Sequence, residues 1–374
     1  MVVMKKIFVL AVSIAALTGC NRGGQKAGYV IEGRIAETRT DVEGRYVYLS
    51  SFGKEGGVID SALISKNAFT FEGAATNGQL CKLSFEEEEA ARPGESSAFS
   101  TFFILQDGKM QAVLDTFSYV TGTPENDAFK TVRESIATAR KGYTDLVKAI
   151  RAGDREAEKK AYQIDMDVLN AVKAYIEANP TKLSAAKLLH EFRYYIDEGE
   201  QEAIFAKADS TFMSLPGIGP MVAHLEVLKS VAPGKTFVDF EMPDPKGKMR
   251  KLSDYVGQGK KVVLIDFWAS WCGPCMHEMP NLTATYKTYR KKGFEIVGIS
   301  LDKEEEAWLK TIKEKKMDWI HLSDLKGWKS GGAALYGVNS IPCTVLVDKD
   351  GTILARNLMG DELNKKLEEL FAKK

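Results

Sequence analysis

The chain has no net charge: 51 Lys and Arg balance 51 Asp and Glu over 374 residues. Such a balance supplies no field to draw in nucleic acid, so no nucleic-acid partner is expected. Cysteine is scarce, five in all, too few for a disulfide scaffold in a chain of this length. Histidine is scarcer still, and none of His190, His224, His277 and His321 forms a spaced ligand pair, so no metal and no bound cofactor is expected. The apolar run from Ile7 to Leu17 has eleven residues, against the roughly 20 that a helix needs to cross a bilayer. With 44% hydrophobic residues the chain can nevertheless bury two or three domain cores.

What is present begins at the N-terminus. Lys5 and Lys6 precede the apolar run, and Leu17-Thr18-Gly19-Cys20 closes it. The tetrapeptide resembles the lipobox of bacterial lipoproteins. It implies a signal peptide over 1–19, a lipid on Cys20 as the first mature residue, and membrane anchoring without a spanning helix. Residues 20–27 read as a polar tether. They contain no acidic run, which favours a position in the bacterial cell envelope facing the periplasm.

From 28 to 118 the pattern is strand-like, at Tyr29 to Gly33, Tyr46 to Leu49, Phe69 to Phe71, Thr101 to Leu105 and Met110 to Leu114. Asp107-Gly108 reads as a hairpin turn between the last two, and the run Glu86 to Glu89 as a solvated loop. This is a small β domain. The region 119–231 is helical, with expected helices over 126–150, 154–177, 184–195 and 198–209. After Ala232-Pro233-Gly234, strands and helices alternate over 235–374, an α/β domain. Its strands are expected at Phe237 to Phe240, Val262 to Phe267, Phe294 to Ser300, Thr344 to Asp348 and Thr352 to Arg356. Its helices are expected at Pro274 to Lys292, Glu304 to Lys315, Lys329 to Tyr336 and Glu362 to Ala372.

Chemistry concentrates in Asp266-Phe267-Trp268-Ala269-Ser270-Trp271-Cys272-Gly273-Pro274-Cys275, a strand running into two cysteines at the start of a helix. A thiolate there is stabilised by free N–H groups and the positive end of the helix dipole, so Cys272 is the expected nucleophile. Pro274 suits the first helical turn, where its missing N–H costs nothing. Cys275, one turn on, is placed to attack a mixed disulfide formed by Cys272 and release the partner reduced. The working group is therefore a redox-active disulfide, Cys272–Cys275.

This segment resembles the active site of thioredoxins, and 235–374 is similar to the TlpA/ResA group of envelope thiol-disulfide oxidoreductases. The resemblance implies a thioredoxin-like fold and several roles. Asp266, six residues before Cys272, stands where thioredoxin carries a buried carboxylate, which would accept a proton from Cys275. Glu278 falls in the C-x-x-E pattern of the group, near the cysteines. Ser340-Ile341-Pro342 corresponds to a cis-proline loop that pairs with bound peptide. Trp271, Gly273, Pro274, Ile341 and Pro342 are then the substrate-docking residues. Strand Glu295 to Ser300 lacks the lysine that lies near the buried acid of thioredoxin itself, which leaves the proton path open. Cys81 and Cys343 read as small buried strand residues, and His277 as an exposed helix residue.

The expected partners are envelope proteins carrying disulfides or thiols, apocytochrome c among them, and a membrane electron donor. Two rival readings differ in class: a thiol peroxidase of the AhpC/TSA type, and a partner-binding scaffold lipoprotein whose redox domain is subsidiary. The peroxidases place a threonine three residues before the cysteine, where this chain has Ala269.

Overall fold

The computed structural model describes residues 28–53, 56–74, 78–85 and 99–372. The signal segment, Cys20, the tether and the run Glu86 to Glu89 lie outside the described residues. Two compact units divide the chain, Met1–Leu188 and Leu189–Lys374. Among the described residues no helix is long and apolar enough to cross a membrane.

The first unit opens with eight strands: β1 (Tyr29–Ile35), β2 (Tyr46–Ser51), β3 (Val58–Leu63), β4 (Ala68–Gly73), β5 (Gln79–Ser84), β6 (Ser100–Leu105), β7 (Gly108–Leu114) and β8 (Tyr119–Thr121). They form two four-stranded sheets, ordered β4-β1-β7-β8 and β3-β2-β5-β6. The alternation in β1 points Tyr29, Ile31 and Ile35 into a shared core with Val47, Leu49, Phe71, Cys81 and Phe103. Cys81 is fully buried there, and burial pushes its thiol up to about 12.

The expected hairpin at Asp107-Gly108 is not formed. β6 pairs with β5 in one sheet, while β7 runs parallel to β1 in the other. β6 is the edge strand of its sheet, paired with β5 on one side, and on the other side the Asn126 side chain takes up the Ile104 N–H and carbonyl. Gly108, at φ +111°, then redirects the chain and donates its N–H to the Gly28 carbonyl.

Helices α1 (Pro124–Ala139), α2 (Tyr143–Arg151) and α3 (Arg155–Ala178) follow. The helix expected over 126–150 is thus two, parted at Gly142, whose φ of +81° is left-handed. Buried Asn126 ties α1 to β6 by accepting from the Ile104 N–H and donating to its carbonyl, both at 2.8 Å. Asp154 caps α3, accepting from the N–H groups of Glu156 and Ala157. The division between units falls within α4 (Leu183–Phe192).

In the second unit α5 (Glu198–Phe205), α6 (Ser210–Met213) and α7 (Ile218–Ser230) precede a small hairpin of β9 (Glu241–Pro243) and β10 (Met249–Lys251). The main sheet is built from β11 (Val262–Trp268), β12 (Phe294–Ser300), β13 (Ile320–Leu322), β14 (Cys343–Asp348) and β15 (Ile353–Arg356), in the order β13-β12-β11-β14-β15. Helices α8 (Gly273–Tyr289), α9 (Glu305–Glu314), α10 (Gly331–Leu335) and α11 (Gly360–Ala372) complete it. β11 is parallel to β12 and antiparallel to β14. As the central strand it is buried at all seven positions, which is why VVLIDFW reads as an unbroken apolar run apart from Asp266. The arrangement is thioredoxin-like, and the expected hairpin at Asp348 to Gly351 joins β14 to β15.

Phe237 to Phe240 is not a strand. Its backbone is held instead by side chains and turns: the Tyr336 hydroxyl accepts from the Val238 N–H and donates to the Val238 carbonyl, and Phe237 N–H donates to the Gly351 carbonyl. Just ahead of it, an isolated bridge pairs Thr236 with Thr352, and Gly234 and Lys235 exchange backbone hydrogen bonds with Ile353 of β15.

Candidate active site

β11 ends at Trp268, and Ala269 to Trp271 carry the chain to α8. Asp302, buried just beyond β12, holds this turn in place. Its carboxylate accepts from the Ser270 N–H, from the Ser270 hydroxyl at 2.6 Å and from the Ser300 hydroxyl at 2.7 Å. Sequence reasoning missed Asp302; its signal was an acid following Ser300-Leu301 at the end of a strand otherwise buried throughout.

Cys272 is the N-cap of α8, in extended backbone, and its Sγ accepts from the Cys275 N–H at 3.2 Å. The two cysteines form a disulfide. Both are buried, yet the turn between them is open, with Gly273 and Pro274 exposed. Trp271 is 55% exposed, and its ring lies 6.0 Å from that of Trp328, which is 51% exposed. Trp328 was not foreseen, because it sits on a short turn between β13 and α10.

On the other side, the peptide bond between Ile341 and Pro342 is cis. Cys272 Sγ lies 3.7 Å from the Ile341 carbonyl oxygen. Cys343 follows as the first residue of β14, paired with Phe267, and burial pushes its thiol up to about 11. On β11, Asp266 is almost fully buried, and burial, with the charge of Glu278 second, pushes its carboxyl up to about 7. Glu278, on α8, accepts from the Asn281 amide at 2.7 Å and from the Gly360 N–H at 2.9 Å, where α11 begins. It thereby satisfies one of the unpaired N–H groups of α11 with a negative charge at the helix N-terminus.

Of the residues singled out in the sequence, Cys272 and Cys275 thus lie with Ile341 and Pro342, Asp266 feels the charge of Glu278, and Trp271, Gly273 and Pro274 are exposed. Cys20 lies outside the described residues. Comparison with known proteins points to thiol-disulfide exchange. A thiol-disulfide oxidoreductase ResA of Bacillus thuringiensis is 32% identical over 142 residues, 37% of this chain and 77% of its own length. This chain belongs to the ResA-like thiol-disulfide oxidoreductases.

The ResA of Bacillus subtilis is 28% identical over 126 residues, 34% of this chain and 67% of its own. Among solved structures, the thioredoxin domain of a thiol-disulfide oxidoreductase from Bacteroides vulgatus is 36% identical, covering 38% of this chain and 99% of its own, with a TM-score of 0.35. The AhpC/TSA family matches residues 233–356, a domain of unknown function (DUF4369) matches 29–129, and the prokaryotic membrane lipoprotein lipid attachment site matches 4–21. The protein is accordingly a thiol-disulfide oxidoreductase with a lipid attachment site ahead of a β-rich region of the DUF4369 type.

Proposed function

We propose that this oxidoreductase reduces disulfides of envelope proteins from the periplasmic face of a membrane, held there by lipid on Cys20. The observation that carries the reading is Cys272 at the N-terminus of α8, accepting the Cys275 N–H, beside the Ile341 carbonyl of the cis peptide bond and under an open rim. In the reduced protein the Cys272 thiolate attacks one sulfur of a substrate disulfide, and the other substrate sulfur leaves as a thiolate that takes a proton from solvent. The Cys275 thiol passes its proton to Asp266 and attacks Cys272, which frees the second substrate thiol and leaves the Cys272–Cys275 disulfide. Two electrons have then moved to the substrate, and a membrane electron donor must restore the dithiol. Trp271, Gly273, Pro274, Ile341 and Pro342 form the docking surface, and Glu278 acts through the field it exerts on Asp266.

The modules are taken as signal peptide 1–19, tether 20–27, β domain 28–118, helical region 119–231 and redox domain 235–374; the matched stretches 29–129 and 233–356 support a β-rich module followed by a redox module, without fixing their limits. A peroxidase would need a hydroxyl three residues before Cys272; Ala269 offers none. Gly273 and Pro274 add no charge that would further stabilise the thiolate, so a potential below about −200 mV is expected, nearer thioredoxin than DsbA. Trapping with Cys275→Ala tests the reading in cells: a disulfide-linked adduct at Cys272 should accumulate, and its mass spectrum should tell apocytochrome c from a mispaired protein disulfide. No adduct, or a measured potential near −120 mV, would remove the reductant role.

A further inference from the structure

Among the described residues of the redox domain, six buried polar atoms have no hydrogen-bond partner in the protein, and four of them, Asp266 Oδ2, Trp268 Nε1, Trp319 Nε1 and His321 Nδ1, are neighbours. They emerge on one face of the sheet. Asp266, Gly298 and His321 are direct cross-strand neighbours on β11, β12 and β13, so their substituents point the same way. Trp268 lies two residues from Asp266 on β11, on that face, and the ring of Trp319, just before β13, lies 5.7 Å from that of His321. At the middle of the row stands a glycine. A Cβ on Gly298 would meet His321 Nδ1 and Trp268 Nε1 at 3.0 Å and Trp319 Nε1 at 3.3 Å, so three nitrogens look onto the space that the missing side chain leaves.

The donors and acceptors among these atoms can be counted. Each indole Nε1 carries a hydrogen and only donates. His321 Nε2 lies 3.0 Å from the Met317 carbonyl, which only accepts, so Nε2 carries the ring hydrogen and Nδ1 presents a lone pair. The carboxylate oxygen of Asp266 accepts. A ligand for this site must therefore accept twice and donate twice. An anion fails at His321 and Asp266, and an ammonium fails at both indoles.

We propose that a single water molecule is bound over Gly298, accepting from Trp268 and Trp319 and donating to His321 Nδ1 and Asp266 Oδ2. Four bonds to one water use all four orphaned atoms, within the two to four that buried waters make. Trp268, Trp319 and His321 are then positioning residues: they orient the water so that one of its hydrogens faces Asp266. Where thioredoxin has a lysine near its buried acid, this chain has a glycine and a hydrated pocket. The bond favours the carboxylate form of Asp266, against the burial that favours the acid. Other groups acting on Asp266 are Glu278 on α8 and Cys343 on β14, the latter also near Arg356. The bound water stands on geometry alone; its kinetic consequence rests on the proton-accepting role proposed above for Asp266.

The test uses the full chain in detergent. A crystal structure resolving ordered water should show one over Gly298. Titration of Asp266 by isotope-edited infrared spectroscopy should place its midpoint higher by about one unit or more in Gly298→Ala, whose methyl displaces the water. Trp319→Phe, which removes one donor and adds no bulk, should move it in the same direction by less, and decides the matter if Gly298→Ala fails to fold. A dry space in the wild-type crystal, or an Asp266 titration unmoved in both variants, overturns the proposal. If the titration moves and the pH–rate profile does not follow, the water stands and the catalytic role of Asp266 falls.

Discussion

A carboxyl group kept near pH 7 by its surroundings carries a cost that depends on pH. Asp266 has an ordinary value of 3.8 and is held at about 7 in the folded protein. Below pH 3.8 it is protonated in both folded and unfolded chains and costs nothing. As pH rises from 3.8 through 7 the unfolded chain releases its proton while the folded one retains it, so stability falls. The loss reaches on the order of 4 kcal/mol above pH 7. Asp266→Asn should therefore be more stable than the wild type at pH 8, with the difference vanishing toward pH 4. Urea midpoints measured across that range check the sign, and parallel curves would mean that the carboxyl titrates normally. The same variant should turn over slowly and lose the limb of the pH–rate profile centred near pH 7, because an amide takes no proton from Cys275. Retention of that substitution's stability gain without a kinetic loss would assign Asp266 to the fold alone.

At the scale of elements, the turn from β11 into α8 is set by a residue on another strand end. Asp302 receives the Ser270 N–H and hydroxyl and the Ser300 hydroxyl within a buried pocket. Asp302→Ala should cost roughly 1–3 kcal/mol, because the buried Ser300 hydroxyl and the half-buried Ser270 groups lose their acceptor. Chemical denaturation measures it; a cost below about 0.5 kcal/mol, usual for surface substitutions, would show that water replaces the carboxylate. Elements with strong local signals follow expectation: α8 with its N-cap and Pro274, α3 with Asp154, the hairpin at Asp348 to Gly351. Where expectation failed, the deciding partner was remote. Asp107-Gly108 has turn chemistry, yet β7 found β1, some 80 residues back, instead of β6. Phe237 to Phe240 has strand composition, yet the Tyr336 hydroxyl occupies its backbone groups.

For the whole molecule, the attachment signal and the redox chemistry reside in separate stretches, residues 4–21 and 233–356. Cys20→Ala should release the protein from the membrane fraction and leave disulfide reduction unchanged; fractionation with a parallel activity assay tests both, and persistent membrane association would point to another anchor. Much of this division was readable without coordinates. Targeting depends on contiguous residues, and the nucleophile depends on a spacing of three at a helix start, so local order suffices for both. The burial of Asp266 and the cis bond before Pro342 were legible through the distance from the cysteines and the place before a strand. What only the tertiary structure decided is how distant residues meet: Asp302 with Ser270, Glu278 with the start of α11, and the row from Asp266 over Gly298 to His321. Those contacts span 32, 82 and 55 positions. Strand order and register, set by burial of whole apolar faces, bring them together, and neither leaves a mark on the local sequence.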